Sequence, residues 1–300
     1  MTQAMMPAPP TLCPACGNQP ADWLRLRCGE TLLRCPGCDL AWWRWHEFDA
    51  AAFYDRDYFQ SETAAKGYAD YRSLERGTRR TARARLSRID SLRARFASRL
   101  LERGDTRPRL LEIGCGTGCF LDEAARAGWD ADGIEISEYA AAEAASRGQS
   151  VVCGSLEDVD LPASEYDCVA MWDVIEHLPD PHEAIAAAAR TLRSGGVLAL
   201  STGDVTSACA RWTGTRWHLF NLPEHLFFFS PKSLELILAR QRCRVVERVN
   251  EVNWSPVAYL VERVAKTIGL PASLARPLRI LPGVVPATLF DVMGLYAIKA

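Results

Sequence analysis

Short apolar runs and stretches of helical period alternate through most of this 300-residue chain. Arg109-Leu110-Leu111-Glu112-Ile113 has the pattern of a buried strand and runs directly into closely spaced glycines. Phe120-Leu121-Asp122-Glu123-Ala124-Ala125-Arg126-Ala127-Gly128 follows with helical period. Asp130-Ala131-Asp132-Gly133-Ile134-Glu135-Ile136 predicts a second strand. Further strands are expected at Ser150–Cys153, Tyr166–Trp172 and Gly196–Ser201, with helices at Ser137–Ser146 and Pro181–Arg193 between them. A sixth strand is expected over Cys243–Val252 and the last near Leu295–Lys299. Strands alternating with helices imply an α/β fold with a parallel sheet, and such sheets bind ligands at the carboxyl ends of their strands.

Upstream, from about Tyr71 to Arg103, Leu86, Ile89, Leu92, Phe96 and Leu100 recur at three- and four-residue steps, which predicts an amphipathic helix. Ten arginines lie between Arg76 and Arg103. A solvated helix surface is the ordinary use of such charge, and a phosphate-binding face is the alternative. Residues 46–71, with Tyr54-Asp55-Arg56-Asp57-Tyr58-Phe59, predict a connecting or lid segment. Residues 254–289 are apolar with interspersed basic positions, but Pro271, Pro277, Pro282 and Pro286 interrupt them too often for one long membrane-lying helix. An acceptor-side lid or packing insertion is the simpler expectation there.

Composition bounds the function. An apolar fraction of 48% and a charged fraction of 24% are those of a globular protein, which excludes bulk disorder and fibrous repeats. A formal net charge of −2 exerts no global pull toward phosphate backbones, so a nucleic-acid partner would need a local patch. No run of about 18 apolar residues predicts a transmembrane segment. Met1-Thr2-Gln3-Ala4-Met5-Met6-Pro7 lacks the charged and apolar regions of a secretory signal, so the expected address is cytoplasmic. Oligomeric state is left open.

Eleven cysteines change the picture, because four of them form two C-x-x-C pairs, Cys13-Pro14-Ala15-Cys16 and Cys35-Pro36-Gly37-Cys38. Four thiolates at that spacing can close a tetrahedral shell around a structural Zn²⁺, with no open position for water and hence no catalysis at the metal. A small zinc ribbon is therefore expected over residues 1–45, followed by a linker and helical lid segment over 46–108 and a catalytic domain over 109–300. Cys28 is a spare. Trp42, Trp43 and Trp45 can either stack on bases or pack the ribbon against the rest of the chain, and packing is the commoner use.

The glycines at 114, 116 and 118 let the backbone bend sharply and approach a ligand with no Cβ in the way. Glu135, at the end of the second strand, is placed to accept hydrogen bonds from both hydroxyls of a ribose. The run Glu112-Ile113-Gly114-Cys115-Gly116-Thr117-Gly118 departs from the dinucleotide pattern G-x-G-x-x-G. It resembles motif I of class I S-adenosylmethionine-dependent methyltransferases, as do Glu135, the Tyr166–Met171 strand running into Trp172-Asp173-Val174-Ile175-Glu176-His177, and Leu192-Arg193-Ser194-Gly195-Gly196. The resemblance covers roughly residues 71–253. It implies a Rossmann-like seven-stranded sheet with helices on both faces, and S-adenosylmethionine as cofactor. Glu112 and the Gly114–Gly118 turn would hold the methionyl part and Glu135 the ribose. Ile136 would pack on the adenine, with Ser155, Leu156 and Glu157 at its edge, and Asp173 would lie near the sulfonium. For Ile136 and Leu156 ordinary core packing is the alternative.

Trp217-His218-Leu219-Phe220-Asn221-Leu222-Pro223-Glu224-His225-Leu226-Phe227-Phe228-Phe229-Ser230-Pro231 resembles the segment after the fifth strand that borders the acceptor pocket in a zinc-ribbon-bearing group of bacterial methyltransferases. Glu224 and His225 are the first catalytic candidates, with His177 and His218 as further histidines able to serve a hydroxyl acceptor. Asp173, Glu176 and His177 resemble the E-x-x-E-H of ubiquinone-pathway O-methyltransferases and so are a candidate divalent-metal set, with Asp in place of the first Glu. The simpler use of Glu176 and His177 is bonding to loop backbone. The expected activity is methyl transfer to a small-molecule acceptor, a sugar derivative or secondary metabolite, on an O, N or C atom. RNA-base methylation and a binding protein without turnover are the alternatives.

Overall fold

The computed structural model describes residues 7–45, 50–60, 71–96, 107–261 and 283–300. Three short strands come first, β1 (Ala21–Arg25), β2 (Thr31–Arg34) and β3 (Ala41–Trp43), paired antiparallel in sequence order. Two single-turn helices follow, α1 (Ala50–Phe53) and α2 (Arg56–Phe59); the Asp55 carboxylate caps the second by accepting from the Tyr58 N–H. A 3-10 turn at Tyr71–Leu74 leads into the 22-residue helix α3 (Glu75–Phe96). The alternating part comprises β4 (Arg109–Ile113), α4 (Cys119–Arg126), β5 (Asp130–Glu135), α5 (Glu138–Ser146), β6 (Ser150–Cys153), β7 (Tyr166–Trp172), α6 (Pro181–Thr191) and β8 (Leu192–Gly203). Then come α7 (Ala208–Thr213), β9 (Phe227–Phe228), α8 (Pro231–Arg240), β10 (Cys243–Asn250), β11 (Asn253–Pro256), β12 (Val284–Ala287) and β13 (Val292–Lys299).

The main sheet has seven strands in the order β10-β13-β8-β7-β4-β5-β6. Strands β6, β5, β4, β7 and β8 are parallel to one another, and β13 is inserted antiparallel between β8 and β10. The chain reverses direction across the sheet beside β4, with β5 and β6 on one side and β7 and β8 on the other, which opens a crevice at the carboxyl ends there. Alternate residues of the central strands enter different cores. Leu111, Ile113, Val169 and Met171 pack in one with α6 and α8, while Leu110, Cys168 and Ala170 pack in the other with α3 and α4. The sheet is therefore covered by helices on both faces.

Several boundaries differ from the expected ones. Helix α6 stops at Thr191, because Leu192 already pairs with Tyr166 and the following residues extend β8. Ser137 is the N-cap of α5, its hydroxyl accepting from the Ala140 N–H, and not its first helical residue. Strand β10 ends at Asn250, since Glu251 turns inward to a salt bridge with Arg85. Of the 254–289 insertion, residues 253–256 and 284–287 form a two-stranded ribbon, and 262–282 lie outside the described residues. The ribbon lies so close to α3 that a Cβ on Gly77 would meet the Trp254 carbonyl oxygen at 2.0 Å. Glycine is required there for close approach.

The arginines of α3 divide: Arg76, Arg80, Arg83 and Arg95 are exposed, as the expected solvated helix surface has them, while several of the eight described ones also bond to carboxylates or stack on rings. Arg79 pairs with Glu75, Asp122 and Glu123, Arg83 with Glu123, Arg85 with Glu251 and Arg88 with Glu247. Arg80 and Arg93 cover the rings of Trp254 and Trp129. These side chains fasten the helix to the sheet domain and leave less of a basic face for phosphates. Arg99 and Arg103 lie outside the described residues.

Strand β3 carries the tryptophans inward. Trp42, Trp43 and Trp45 are 0%, 7% and 3% exposed, and β3 pairs with β9 from the far part of the chain, Ala41 opposite Phe228 and Trp42 opposite Phe227. Packing is thus their use. No helix among the described residues is long and apolar enough to cross a membrane.

Candidate active site

Four loops converge at the carboxyl ends of β4, β5, β6 and β7. After β4, Gly114, Gly116 and Gly118 have φ of 72°, 53° and 77°, a region that side chains with a Cβ rarely adopt. The turn is pinned by the Gly114 and Cys115 N–H groups, which donate to the Ile134 carbonyl at 2.8 and 3.1 Å. A Cβ on Gly114 would sit 2.5 Å from Val174, so the first loop also packs against the fourth. Gly118 caps α4, leaving the helix N-terminus facing the crevice.

Two carboxylates lie under this turn. Glu135 accepts from the Gly116 N–H at 2.7 Å and from the Ser137 N–H at 2.9 Å, which ties the end of β5 to the glycine turn. Burial pushes its pKa up, partly offset by those backbone donors. Glu112 is 3% exposed and its Oε2 has no hydrogen-bond partner among the described residues. Burial raises its pKa well above the usual carboxylate range, opposed by the Arg85 charge. An unsatisfied buried acceptor is costly, and a cationic donor such as a ligand ammonium is the group that would satisfy it.

The outer rim is more open. Ile136 and Leu156 are half-buried, Glu157 is exposed, and the Ser155 hydroxyl is engaged with Asp158 at 2.8 Å. Asp173 is exposed and held at φ 56° immediately after β7, with its Oδ1 accepting from the Ser201 hydroxyl at 2.9 Å. Ser201 is in turn bonded by Arg85 at 3.2 Å, whose guanidinium stacks 4.2 Å from the Trp172 ring and donates to Glu251 at 2.9 Å. Sequence reasoning missed this Glu251–Arg85–Ser201–Asp173 chain. The available signal was Arg85 itself, a charge sharing an i, i+4, i+7 face with Ile89 and Leu92.

Beyond Asp173 lies a second cluster. Ligand-type atoms of Glu176, His177 and His225 fall within 4.8 Å of one another. Glu176 is 4% exposed, its Oε2 lacks a partner among the described residues, and burial followed by the Asp173 charge pushes its pKa up to about 8. His177 Nδ1 lies 2.8 Å from both the Glu224 carbonyl and the Tyr54 hydroxyl, and burial lowers its pKa to about 4. Its ring meets that of His225 edge-on at 4.7 Å. The structure thus brings His177, Glu224 and His225 together and adds Glu176 and Tyr54. As for a divalent ion, the orphaned Glu176 oxygen and the two imidazoles suit one, but they form a Glu-His-His group in which Asp173 has no part. His218 lies elsewhere, its Nδ1 3.5 Å from Asp291.

The four paired cysteines also meet. Cys13 and Cys38 sulfurs are 3.4 Å apart, those of Cys16 and Cys35 are 3.3 Å apart, and all four lie within 4.8 Å. Four thiolates around one ion at the usual Zn–S distance have sulfurs about 3.8 Å apart, so the cluster fits such a metal. The hydrogen bond between Cys13 and Cys38 lowers the pKa of the first thiol and raises that of the second. Cys28 is exposed and outside the group.

A sheet of this order, with a glycine turn after its first parallel strand and an acid after its second, is the fold of class I S-adenosylmethionine-dependent methyltransferases. The chain belongs to the methyltransferase-domain family, which matches residues 81–248. It is 37% identical over 101 residues to a ubiquinone biosynthesis O-methyltransferase of Aromatoleum aromaticum, a match covering 31% of this chain and only 43% of that enzyme. It is 28% identical over 172 residues to the enzyme of the same name from Thiobacillus denitrificans, covering 53% and 74%. Among solved structures it is similar to magnesium protoporphyrin IX methyltransferase of Synechocystis PCC 6803 with bound SAH, at 15% identity and a TM-score of 0.45, covering 72% of this chain and 85% of that one. S-adenosylmethionine is the cofactor of this methyltransferase fold.

Proposed function

We propose that this protein methylates a hydroxyl oxygen of a small-molecule acceptor, with S-adenosylmethionine as donor. The observation that carries the oxygen assignment is the buried Glu176 carboxyl, with a pKa near 8 and an unsatisfied oxygen, between His177, His225 and Asp173. A base tuned near operating pH is what a hydroxyl nucleophile needs.

Glu112 and the Gly114–Gly118 turn would hold the methionyl part, Glu135 the ribose, and Ile136 and Leu156 the adenine with Ser155 at its edge. Asp173 would face the sulfonium. When bound, the cofactor supplies an electrophilic methyl group for in-line displacement, and the protein's task is alignment. Glu176 takes the acceptor's proton as the new C–O bond forms and the C–S bond breaks. His177, neutral at physiological pH and fixed by Tyr54 and Glu224, orients the acceptor, and His225 and Glu224 form the wall behind it. Glu176, His177 and His225 are also the residues that would hold a divalent ion, which would polarise the same hydroxyl. Cys13, Cys16, Cys35 and Cys38 would hold structural zinc. The division into a ribbon over 1–45, a lid segment over 46–108 and a catalytic domain over 109–300 belongs to the same reading.

The test is incubation with methyl-labelled cofactor and a panel of hydroxylated acceptors, sugar nucleotides and phenols among them, with RNA as a comparison arm. Label is expected on oxygen, at a rate rising with pH to about 8. Glu176→Gln is expected to lower kcat by about 100-fold with unchanged S-adenosylhomocysteine affinity. Label on RNA or nitrogen, or undiminished turnover by Glu176→Gln, contradicts the proposal.

A further inference from the structure

We infer that the four-cysteine unit is one wall of the acceptor site, and that its metal loading positions His225 while leaving the cofactor cradle untouched. The inference rests on the methyltransferase reading only for calling that side the acceptor side.

The physical connection is direct. Strand β3 of the cysteine unit continues its ladder into β9, two residues beyond His225. The buried Trp43 indole N–H donates to the His225 carbonyl at 3.0 Å. On the metal side, the Cys38 carbonyl accepts from the buried Ser230 hydroxyl at 2.6 Å, and Ser230 is the N-cap of α8 in a capping box with Ser233. Arg240, in the last turn of the same helix, donates to the Pro14 carbonyl at 3.2 Å. Both knuckles thus bond α8, one at each end, and the chain from His225 to Ser230 is held between the Trp43 and Cys38 contacts.

His225 hands this position on. Its ring packs against His177, and the next residue, Leu226, donates its N–H to the Glu176 carbonyl at 2.8 Å. The cofactor cradle is built otherwise. Glu135 is bonded by Gly116 and Ser137, and Gly114 by Ile134, all within β4, β5 and the turns that follow them. A metal that organises the Cys38 turn and β3 therefore acts on His225, with Trp43 as the positioning residue. A unit this small has little core of its own: its tryptophans pack on Phe227, so it and the acceptor wall order each other.

The experiment uses the full chain, as purified, after chelation, as Cys13→Ser/Cys35→Ser, and as Trp43→Phe, which keeps an aromatic ring and removes the donor. Three quantities are read: amide exchange at residues 224–230, the imidazole NMR signals of His225 and His218 (assigned by His225→Gln and His218→Gln), and S-adenosylhomocysteine affinity by calorimetry. Removal of the cysteine-bound metal, by the Cys13→Ser/Cys35→Ser replacement as well as by chelation so that an ion on Glu176, His177 and His225 is not mistaken for it, is expected to speed exchange at 224–230 by about tenfold or more and to move the His225 signal but not that of His218, with ligand affinity within about threefold. Trp43→Phe is expected to move the His225 signal the same way with metal content unchanged. Should chelation unfold the whole chain, the Trp43→Phe arm decides. An unmoved His225 signal in that variant, unchanged exchange in a folded stripped protein, or ligand affinity lost in parallel overturns the inference. Failure of S-adenosylhomocysteine to bind the loaded protein refutes the methyltransferase reading instead, and the exchange and NMR arms still decide whether the metal orders His225.

Discussion

The Gly116 N–H donates to the Glu135 carboxylate at 2.7 Å, so the glycine turn and the acid at the end of the neighbouring strand form one rigid cradle before any ligand arrives. A ribose placed there meets acceptors that are already oriented, which lowers the ordering cost of binding. Glu135→Ala removes the tie to Gly116 and, on the proposed reading, the ribose acceptor. It is expected to weaken S-adenosylhomocysteine binding by at least about 100-fold, measured by calorimetry.

Gly114→Ala tests the turn without touching a charge. The added Cβ meets Val174 at 2.5 Å at a φ of 72°, so the loop after β4 must move away from the loop after β7. The expected result is a loss of affinity of about tenfold or more, with a stability loss of about 1–3 kcal/mol in urea titration.

Arg85 should matter to stability as much as to the site. Its pair with Glu251 is nearly buried, and removal of one partner leaves the other charge uncompensated. Arg85→Ala is expected to cost about 3–5 kcal/mol in urea denaturation, and the double variant Arg85→Met/Glu251→Leu less than that.

The pH dependence of stability has a defined sign. Glu176, raised from 4.5 to about 8, keeps its proton in the folded state and loses it on unfolding between those values, so stability falls as pH rises through them. His177, lowered from 6.5 to about 4, has the opposite effect, with stability rising between those values. The two oppose each other below pH 6.5, and above it only Glu176 of the pair contributes a slope. Denaturation from pH 6.5 to 8 should therefore show a decline of which the Glu176 share, on the order of 1–2 kcal/mol, is lost in Glu176→Gln.

Much of this was legible in the sequence because it is local. Glu112, the three glycines and Glu135 lie within one strand-turn-helix-strand stretch, where apolar period and turn residues fix both the elements and the loop between them. The Cys13-x-x-Cys16 and Cys35-x-x-Cys38 pairs likewise carry their own geometry. What was not legible is set by contacts far apart along the chain. Nothing near Trp42 announces that it will face Phe227 in a ladder, and nothing near Arg85 names Glu251 as its partner. Helix α6 was drawn two residues too long because Arg193 continues a helical pattern that pairing of Leu192 with Tyr166 overrides. The resemblance to E-x-x-E-H groups Asp173 with Glu176 and His177, whereas the 3-10 turn at Ile175–His177 brings His225 to that group and leaves Asp173 with Ser201.

Metal analysis of protein purified without added zinc should find about one ion per chain, lost in the Cys13→Ser/Cys35→Ser double variant together with thermal stability. Retention of metal by the double variant would place the ion elsewhere, with the Glu176, His177 and His225 group as the next place to look.

The central claim is that the crevice at the carboxyl ends of β4 and β5 is an S-adenosylmethionine site. It is tested most directly by parallel calorimetric titration of the purified protein with S-adenosylhomocysteine, S-adenosylmethionine and NADH. Saturable binding of the first two, about one per chain and without binding of NADH, is the predicted result. Binding of NADH alone would contradict the account and point to a dinucleotide enzyme.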